Sequence, residues 1–183
     1  LNLSTMTFMV AMGLSVAAMI RVGNQKGLHN FKELRRITFS IFLLGAVFAS
    51  FFALIFFIFH KSLPNIYVDL NDITNYEDNK EVIFIASKLL LVAAFFQISD
   101  SIQVIILGAL RGLQDVKIPT IITFISYWIV GFPISYFLGK EEAYGSFGIW
   151  MGLLSGLTTA SILLFIRFNS LTLKLIKQKH ELT

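Results

Sequence analysis

The chain has 183 residues, of which 56% are apolar and only 14% charged, with a mean hydropathy of +0.75. Soluble domains carry nearly twice that share of charged residues, so this composition excludes an ordinary soluble fold. The chain has no cysteine, which excludes a disulfide framework and a thiolate metal site, and its net charge is +4.

Five long apolar runs follow one another along the chain. Each has about 18 residues or more, enough for a helix to cross the ~30 Å hydrocarbon core of a bilayer. A helix also satisfies its own backbone hydrogen bonds in lipid. The sequence therefore predicts an all-α polytopic membrane protein with five transmembrane helices, spans 1 to 5, at residues 3–20, 37–59, 82–110, 118–138 and 147–166.

Charged residues between the runs indicate the orientation. Basic side chains concentrate at residues 21–36, at 111–117 and after 166, whereas acids dominate the connection at 61–81 and Lys140 is the single base of the last connection. The positive-inside rule places the three basic segments and the C-terminus in the cytoplasm. Membrane topology accounts for the basic residues, so we expect no nucleic-acid partner.

Span 1 begins with the first residues of the chain, on the outer side of the membrane. Five is an odd number of spans for a transporter built from paired halves. We therefore expect residues 1–183 to be the C-terminal part of a longer membrane protein. The expected partners of these residues are the N-terminal helices of the same protein and the membrane lipid.

Spans 4 and 5 carry helix-shaping residues. Gly131 and Pro133 predict a bend in the outer half of span 4, because proline removes a backbone hydrogen bond. Small residues recur every fourth position in span 5, which predicts a face packed against another helix. They are Gly148, Gly152, Gly156 and Ala160.

One acid, Asp100, interrupts span 3. Eleven residues separate it from Lys88 and ten from Arg111, so it lies near the middle of the membrane. A carboxylate there costs at least about 2.5–3.5 kcal/mol, and such residues are usually functional. Gln97, Asp100 and Gln103 form a polar stripe that predicts a face toward a cavity or another helix. The alternative is a structural hydrogen bond to a neighbouring helix.

Four stretches together resemble the multidrug and toxic compound extrusion (MATE) family, in its NorM-type branch. They are GLSVAAMIRVG at 13–23, FQISDSIQVIILGALRGLQDVKIP at 96–119, YWIVGFPISYFLG at 127–139 and GIWMGLLSGLT at 148–158. The family has twelve helices in two lobes, so the resemblance implies that this chain forms helices eight to twelve of the second lobe. It also implies a multi-pass protein of the plasma (inner) membrane. The family commonly has proline where Ala11 stands here.

The resemblance implies multidrug efflux by antiport, in which organic cations are exported in exchange for sodium ions or protons, without an organic cofactor. The family pattern F-Q-x-x-D assigns cation binding to Asp100 and Gln97, with Asp100 as the sodium ligand if sodium is the coupling ion. Residues expected to line the cavity are Phe96, Gln103, Tyr127 and Trp128.

Two other classes stay open. A flippase for lipid-linked precursors, from the same wider superfamily, would need a basic cavity for its anionic substrate. A non-transporting structural subunit would need no coupling site at all. An enzyme is not expected, because the spans contain no mid-membrane His or Cys and no pair of acids.

Overall fold

The computed structural model describes residues 2–66, 76–140 and 145–181, and every regular element among them is helical. The helices are α1 (Asn2–Gly27), α2 (Phe31–Phe59), α3 (Tyr76–Gly112), α4 (Lys117–Ile125), α5 (Phe132–Leu138) and α6 (Gly145–Glu181). A short 3₁₀ helix covers Leu63–Ile66, and a π-helical segment covers Ser126–Gly131. The connections at 67–75 and 141–144, which include the acids Asp69 and Asp72, lie outside the described residues.

Five helical segments are long and apolar enough to cross a membrane, as the hydropathy pattern predicts. They are α1, α2, α3, the continuous segment formed by α4, the π-helical residues and α5, and α6. The helices extend beyond the predicted spans. At 37 residues, α6 is about 55 Å long, far more than the hydrocarbon core requires. The all-α membrane architecture is therefore confirmed.

Helix α3 lies at the centre of the bundle and packs against α1, α2 and α6. Its last turns enter a large apolar cluster with Val22, Leu34, Leu164 and Phe168, all fully buried. Its earlier turns enter a second, smaller apolar cluster with Ala53 and Phe56. The polar residues 97–103 of α3 lie between these two clusters, so apolar packing above and below holds the polar stripe in place.

Glycines allow close helix contacts on both sides of α3. A Cβ on Gly108 would meet the Ser15 carbonyl oxygen of α1, so only glycine permits this approach. Across the bundle, Gly148, Gly152 and Gly156 of α6 are buried, and Cβ atoms there would meet Leu138, Ser135 and Gly131 respectively. The predicted packing of this glycine stripe against another helix is confirmed.

Directly before Pro133, where a bend is predicted, span 4 contains a π-helical segment. The N–H of Phe132 donates to the carbonyl of Tyr127, five residues earlier, and Pro133 follows at once. Proline cannot donate to the carbonyl four residues before it, and π-bulges commonly accompany such a lost hydrogen bond. The departure from α geometry thus begins five residues before Gly131, at Ser126.

Basic side chains tie the helices together at one end of the bundle. The ammonium of Lys26 donates to the Leu113 carbonyl over 2.8 Å and to the Gln114 side-chain oxygen over 2.9 Å. The Arg167 guanidinium donates to the Asp115 carboxylate over 2.8 Å. The connection between α3 and α4 is therefore fastened to both α1 and α6.

We expect Arg167→Met to lower the free energy of unfolding by about 1–3 kcal/mol, because it leaves the Asp115 carboxylate without its partner. Both side chains are partly buried, so the loss should fall between that of an exposed pair and that of a fully buried one. Arg36→Met is the matched control, since Arg36 is 81% exposed and lies 3.9 Å from Glu33. Equal losses for both variants in denaturant titration would contradict a stabilising role for the Arg167–Asp115 pair.

Candidate functional site

Gln97 and Gln103 of the polar stripe face different neighbouring helices, and Asp100 lies between them on the surface of α3. Gln97 and Gln103 are each only 5% exposed, and Asp100 is partly buried. Three residues correspond to about 300° of an α-helix, so Asp100 lies about 60° from Gln97 and about 60° from Gln103. Gln97 faces α1 and α2, whereas Gln103 contacts span 4. The carboxylate therefore lies on the arc of α3 between α1 and span 4.

Gln103 and Tyr127 form the clearest polar contact beside Asp100. The Tyr127 hydroxyl donates to the Gln103 side-chain oxygen over 3.1 Å. Tyr127 also interacts electrostatically with Asp100. Because Tyr127 belongs to the π-helical segment, the irregular backbone of span 4 sets the position of this hydroxyl.

Asp100 itself has no compensating partner in the described part of the chain. None of those residues forms a hydrogen bond or an ion pair with its carboxylate. Lys88 and Arg111, the nearest bases along α3, lie about 16–18 Å away along the helix axis. Lys88 instead lies over the Phe84 ring, with 4.1 Å from its ammonium nitrogen to the ring centroid. The structural alternative, an acid hydrogen-bonded to a neighbouring helix, finds no partner among the described residues.

The remaining side chains predicted to line a cavity lie in different places. Phe96 packs edge-on against Trp150 of α6, with ring centroids 5.8 Å apart. Trp128 is 59% exposed and stacks on Phe124 at 5.9 Å. Phe96 is therefore held by α6, and Trp128 belongs to an exposed aromatic row along span 4.

Helix α6 contributes polar contacts that the sequence analysis missed. The hydroxyls of Ser99 and Thr158 are 3.2 Å apart, and the Ser161 hydroxyl donates to the Ser99 carbonyl over 3.1 Å. Thr158 and Ser161 share one helix face through their i, i+3 spacing, which was the signal available in the sequence. These bonds fix the rotation of α3 against α6 one residue before Asp100.

The Gln97 side chain is buried, and neither its amide nitrogen nor its amide oxygen has a hydrogen-bond partner among the described residues. Leaving buried polar atoms unpaired costs about 1–3 kcal/mol each. Gln97 faces a small cavity bounded by α1, α2 and α3 whose lining does not include Asp100. Gln97 therefore faces this cavity, whereas Asp100, about 60° away around the helix, is not part of its lining.

The described residues contain no group of three His, Cys, Asp or Glu side chains able to hold a metal ion together. Among the described residues, the groups available to a cation at Asp100 are this carboxylate and neutral oxygens such as those of Gln103 and Tyr127. Hard monovalent cations accept such ligands, whereas tightly held transition metals prefer His and Cys.

Comparison with known proteins identifies the family of this chain. The MatE family model matches residues 1–137. The multidrug resistance protein MdtK of Proteus mirabilis is 38% identical over 171 residues, covering 91% of this chain and 35% of that protein. The multidrug resistance protein NorM of Aliivibrio fischeri is 37% identical over 171 residues, with the same two coverages. The chain thus spans about a third of the length of the curated relatives it matches.

A solved structure shows the same fold. The crystal structure of the eukaryotic MATE transporter AtDTX14 superposes with a TM-score of 0.75 and covers 97% of this chain and 39% of that one. Its sequence is 18% identical, so this likeness concerns the fold alone. Together, the family match, the identity to NorM and MdtK proteins and the shared fold show that the chain is a multi-pass membrane protein that belongs to the MATE family.

Proposed function

We propose that this chain forms helices eight to twelve of a two-lobe transporter that exports organic cations in exchange for sodium ions or protons. One observation carries the proposal: Asp100 is an acid near the middle of a transmembrane span and has no hydrogen-bond or ion-pair partner among the described residues. The relatives named multidrug resistance proteins support export of drugs as the physiological task.

The chemistry follows from the cost of an uncompensated charge in a medium of low dielectric constant. A bare carboxylate is unfavourable there, and a proton, a sodium ion or an organic cation each relieves that cost. Because one carboxylate accepts one of these at a time, entry of the coupling ion displaces the drug. Such exclusive occupancy is the minimum requirement for antiport.

We assign the cation to the side of α3 that carries Asp100, Gln103 and Tyr127. The Gln103 oxygen and the Tyr127 hydroxyl oxygen are neutral ligands already fixed relative to each other by their hydrogen bond. An aromatic ring beside the carboxylate also favours a flat organic cation through its π-face. Phe96 lies one turn from Asp100, where its ring packs against Trp150 of α6.

The orientation proposed for the transporter places the C-terminus in the cytoplasm of the cell that carries it in its plasma (inner) membrane. The end of the bundle that holds Lys26, Arg35, Arg167 and Lys179 is the basic one. Basic residues accumulate on the cytoplasmic side of membrane proteins, which supports this orientation.

Tyr127→Phe tests the assigned ligand set. Removing the hydroxyl frees the Gln103 amide to rotate and takes one oxygen from the cation. A hydrogen bond of this kind is worth about 1 kcal/mol, so we expect about fivefold weaker binding of an organic cation such as ethidium. Fluorescence titration of the purified transporter measures this change, and unchanged affinity would remove Tyr127 from the site.

Transport itself is tested in vesicles that contain the purified full-length transporter. We expect ethidium export to start only when an opposing sodium or proton gradient is imposed. The gradient that drives export identifies the coupling ion. Movement of a lipid-linked anion without any response of ethidium to either gradient would favour the flippase instead.

A further inference from the structure

The cavity beside Gln97 has the size and lining of a site for one small polar molecule. Its volume is about 10 Å³, close to the ~10–15 Å³ that one buried water requires. Helix α1 contributes Thr7, Ala11 and Leu14, helix α2 contributes Gly45 and Phe52 among others, and helix α3 contributes Gln97 and Ser101. Three helices thus meet around a space of about the volume of one water.

The polar atoms that face this cavity need partners. Gln97 presents one acceptor and two donors, all unpaired within the described structure. The buried Ser101 side chain also has no hydrogen bond to any described residue. The Thr7 hydroxyl donates to the Ser4 carbonyl over 2.8 Å, which leaves its oxygen free to accept. Donors and acceptors are therefore both present, at three points around the cavity.

This mixed set matches water and not a cation. Water donates two hydrogen bonds and accepts two, so it can pair with the amide nitrogen and the amide oxygen at the same time. Empty cavities are lined by apolar groups, whereas polar cavities of this size hold water. A sodium ion would face the amide N–H donors, and no carboxylate lines the cavity.

We propose that a buried water binds to Gln97 and Ser101 of α3 and donates to the Thr7 hydroxyl oxygen of α1, so that it joins the two helices, and that Gln97 is a positioning residue and not a cation ligand. The water would lie about one helical turn from Asp100, on the opposite side of the carboxylate from Gln103. Together with the Ser99 contacts to α6, its hydrogen bonds hold the rotation of α3 and hence the direction of the Asp100 carboxylate. The positioning role depends on the proposed function, whereas the water site does not.

The first test is a density map of the full-length transporter in lipid nanodiscs, at a resolution that shows ordered waters. We expect density within about 2.7–3.2 Å of a Gln97 amide atom and of the Ser101 hydroxyl oxygen, unchanged between sodium-containing and sodium-free buffer. An empty cavity, or density present only with sodium, would overturn the proposal.

The second test is a double-mutant cycle on thermal stability, with Gln97→Leu and Ser101→Ala. Ser101→Ala should lower the unfolding midpoint of the otherwise unchanged transporter but should have no effect in the Gln97→Leu background, because the bridging water is then absent. Purely additive effects would show that no shared molecule links the two side chains.

The third test distinguishes a positioning role of Gln97 from direct binding of the cation by Gln97. Gln97→Leu keeps nearly the same shape, so the affinity for ethidium should change by less than about threefold, while Asp100→Asn changes it by more than tenfold. A tenfold loss in Gln97→Leu, in protein whose unfolding midpoint is unchanged, would make Gln97 a ligand and overturn this assignment. If neither variant altered ethidium binding, the proposed function would be contradicted. The water site would then still be decided by the density map alone.

Discussion

Asp100→Asn should reduce ion-driven export of ethidium to the rate of vesicles without transporter, while the protein still inserts into the membrane. Asparagine retains the size and the hydrogen-bonding capacity of the side chain, but it carries no charge and does not accept a proton at neutral pH. Asp100 is the only acid in the five apolar runs of spans 1 to 5, so no second carboxylate within them can replace it. Loss of this one charge therefore removes the competition between ion and drug.

The matched control is Glu33→Gln, which makes the same acid-to-amide change at the partly exposed first turn of α2. Export by this variant should equal that of the unaltered transporter at equal membrane abundance. Asp100→Glu should retain part of the activity, because it keeps the charge and displaces it by one methylene. Normal export by Asp100→Asn would mean that the carboxylate is not the coupling site.

Gly152→Leu should prevent stable packing of span 4 against α6. A Cβ at this position would meet the backbone nitrogen and the Cα of Ser135, and backbone atoms cannot rotate aside as a side chain can. Overpacking commonly costs about 1–3 kcal/mol, and a leucine placed against backbone should reach or exceed the upper end of that range. We expect a correspondingly lower unfolding midpoint and little folded protein in the membrane.

Gly13→Leu provides the control for the Gly152 variant. Gly13 also lies in a long helix, but a Cβ there would meet no atom within 4 Å. Its substitution should be neutral or mildly stabilising, because leucine favours helix more than glycine does. A similar loss in both variants would mean that glycine is needed for reasons other than the α5–α6 contact.

Much of this fold was predictable because hydropathy, span length and loop charge each report on the bilayer independently. The close contact at Gly152 was also predictable, since small residues at every fourth position of a membrane helix favour tight packing against a neighbour. The π-helical segment was not predictable. Nothing in the sequence indicates that the hydrogen bond lost at Pro133 is accompanied by a departure from α geometry that begins at Ser126. That response depends on how Gly131 and Ser126 pack against Gly156.

The candidate site was predictable only in part, for a similar reason. Asp100 stands out because an acid in an apolar run is costly wherever its helix packs. Its neighbours depend on helix rotation, and a shift of one residue turns a side chain by about 100°. The sequence therefore placed Gln97 and Gln103 on one stripe, whereas the structure directs Gln97 to α1 and α2 and Gln103 to Tyr127.

Competition at Asp100 can be measured directly as the affinity of the purified full-length transporter for ethidium over a range of sodium concentrations and pH. In the unaltered transporter, raising the concentration of the coupling ion should weaken ethidium binding in proportion, as for two ligands of one site. In Asp100→Asn, the residual affinity should not depend on either ion. If the affinity of Asp100→Asn kept the same dependence on sodium or pH, the ion and the drug would compete somewhere other than at Asp100.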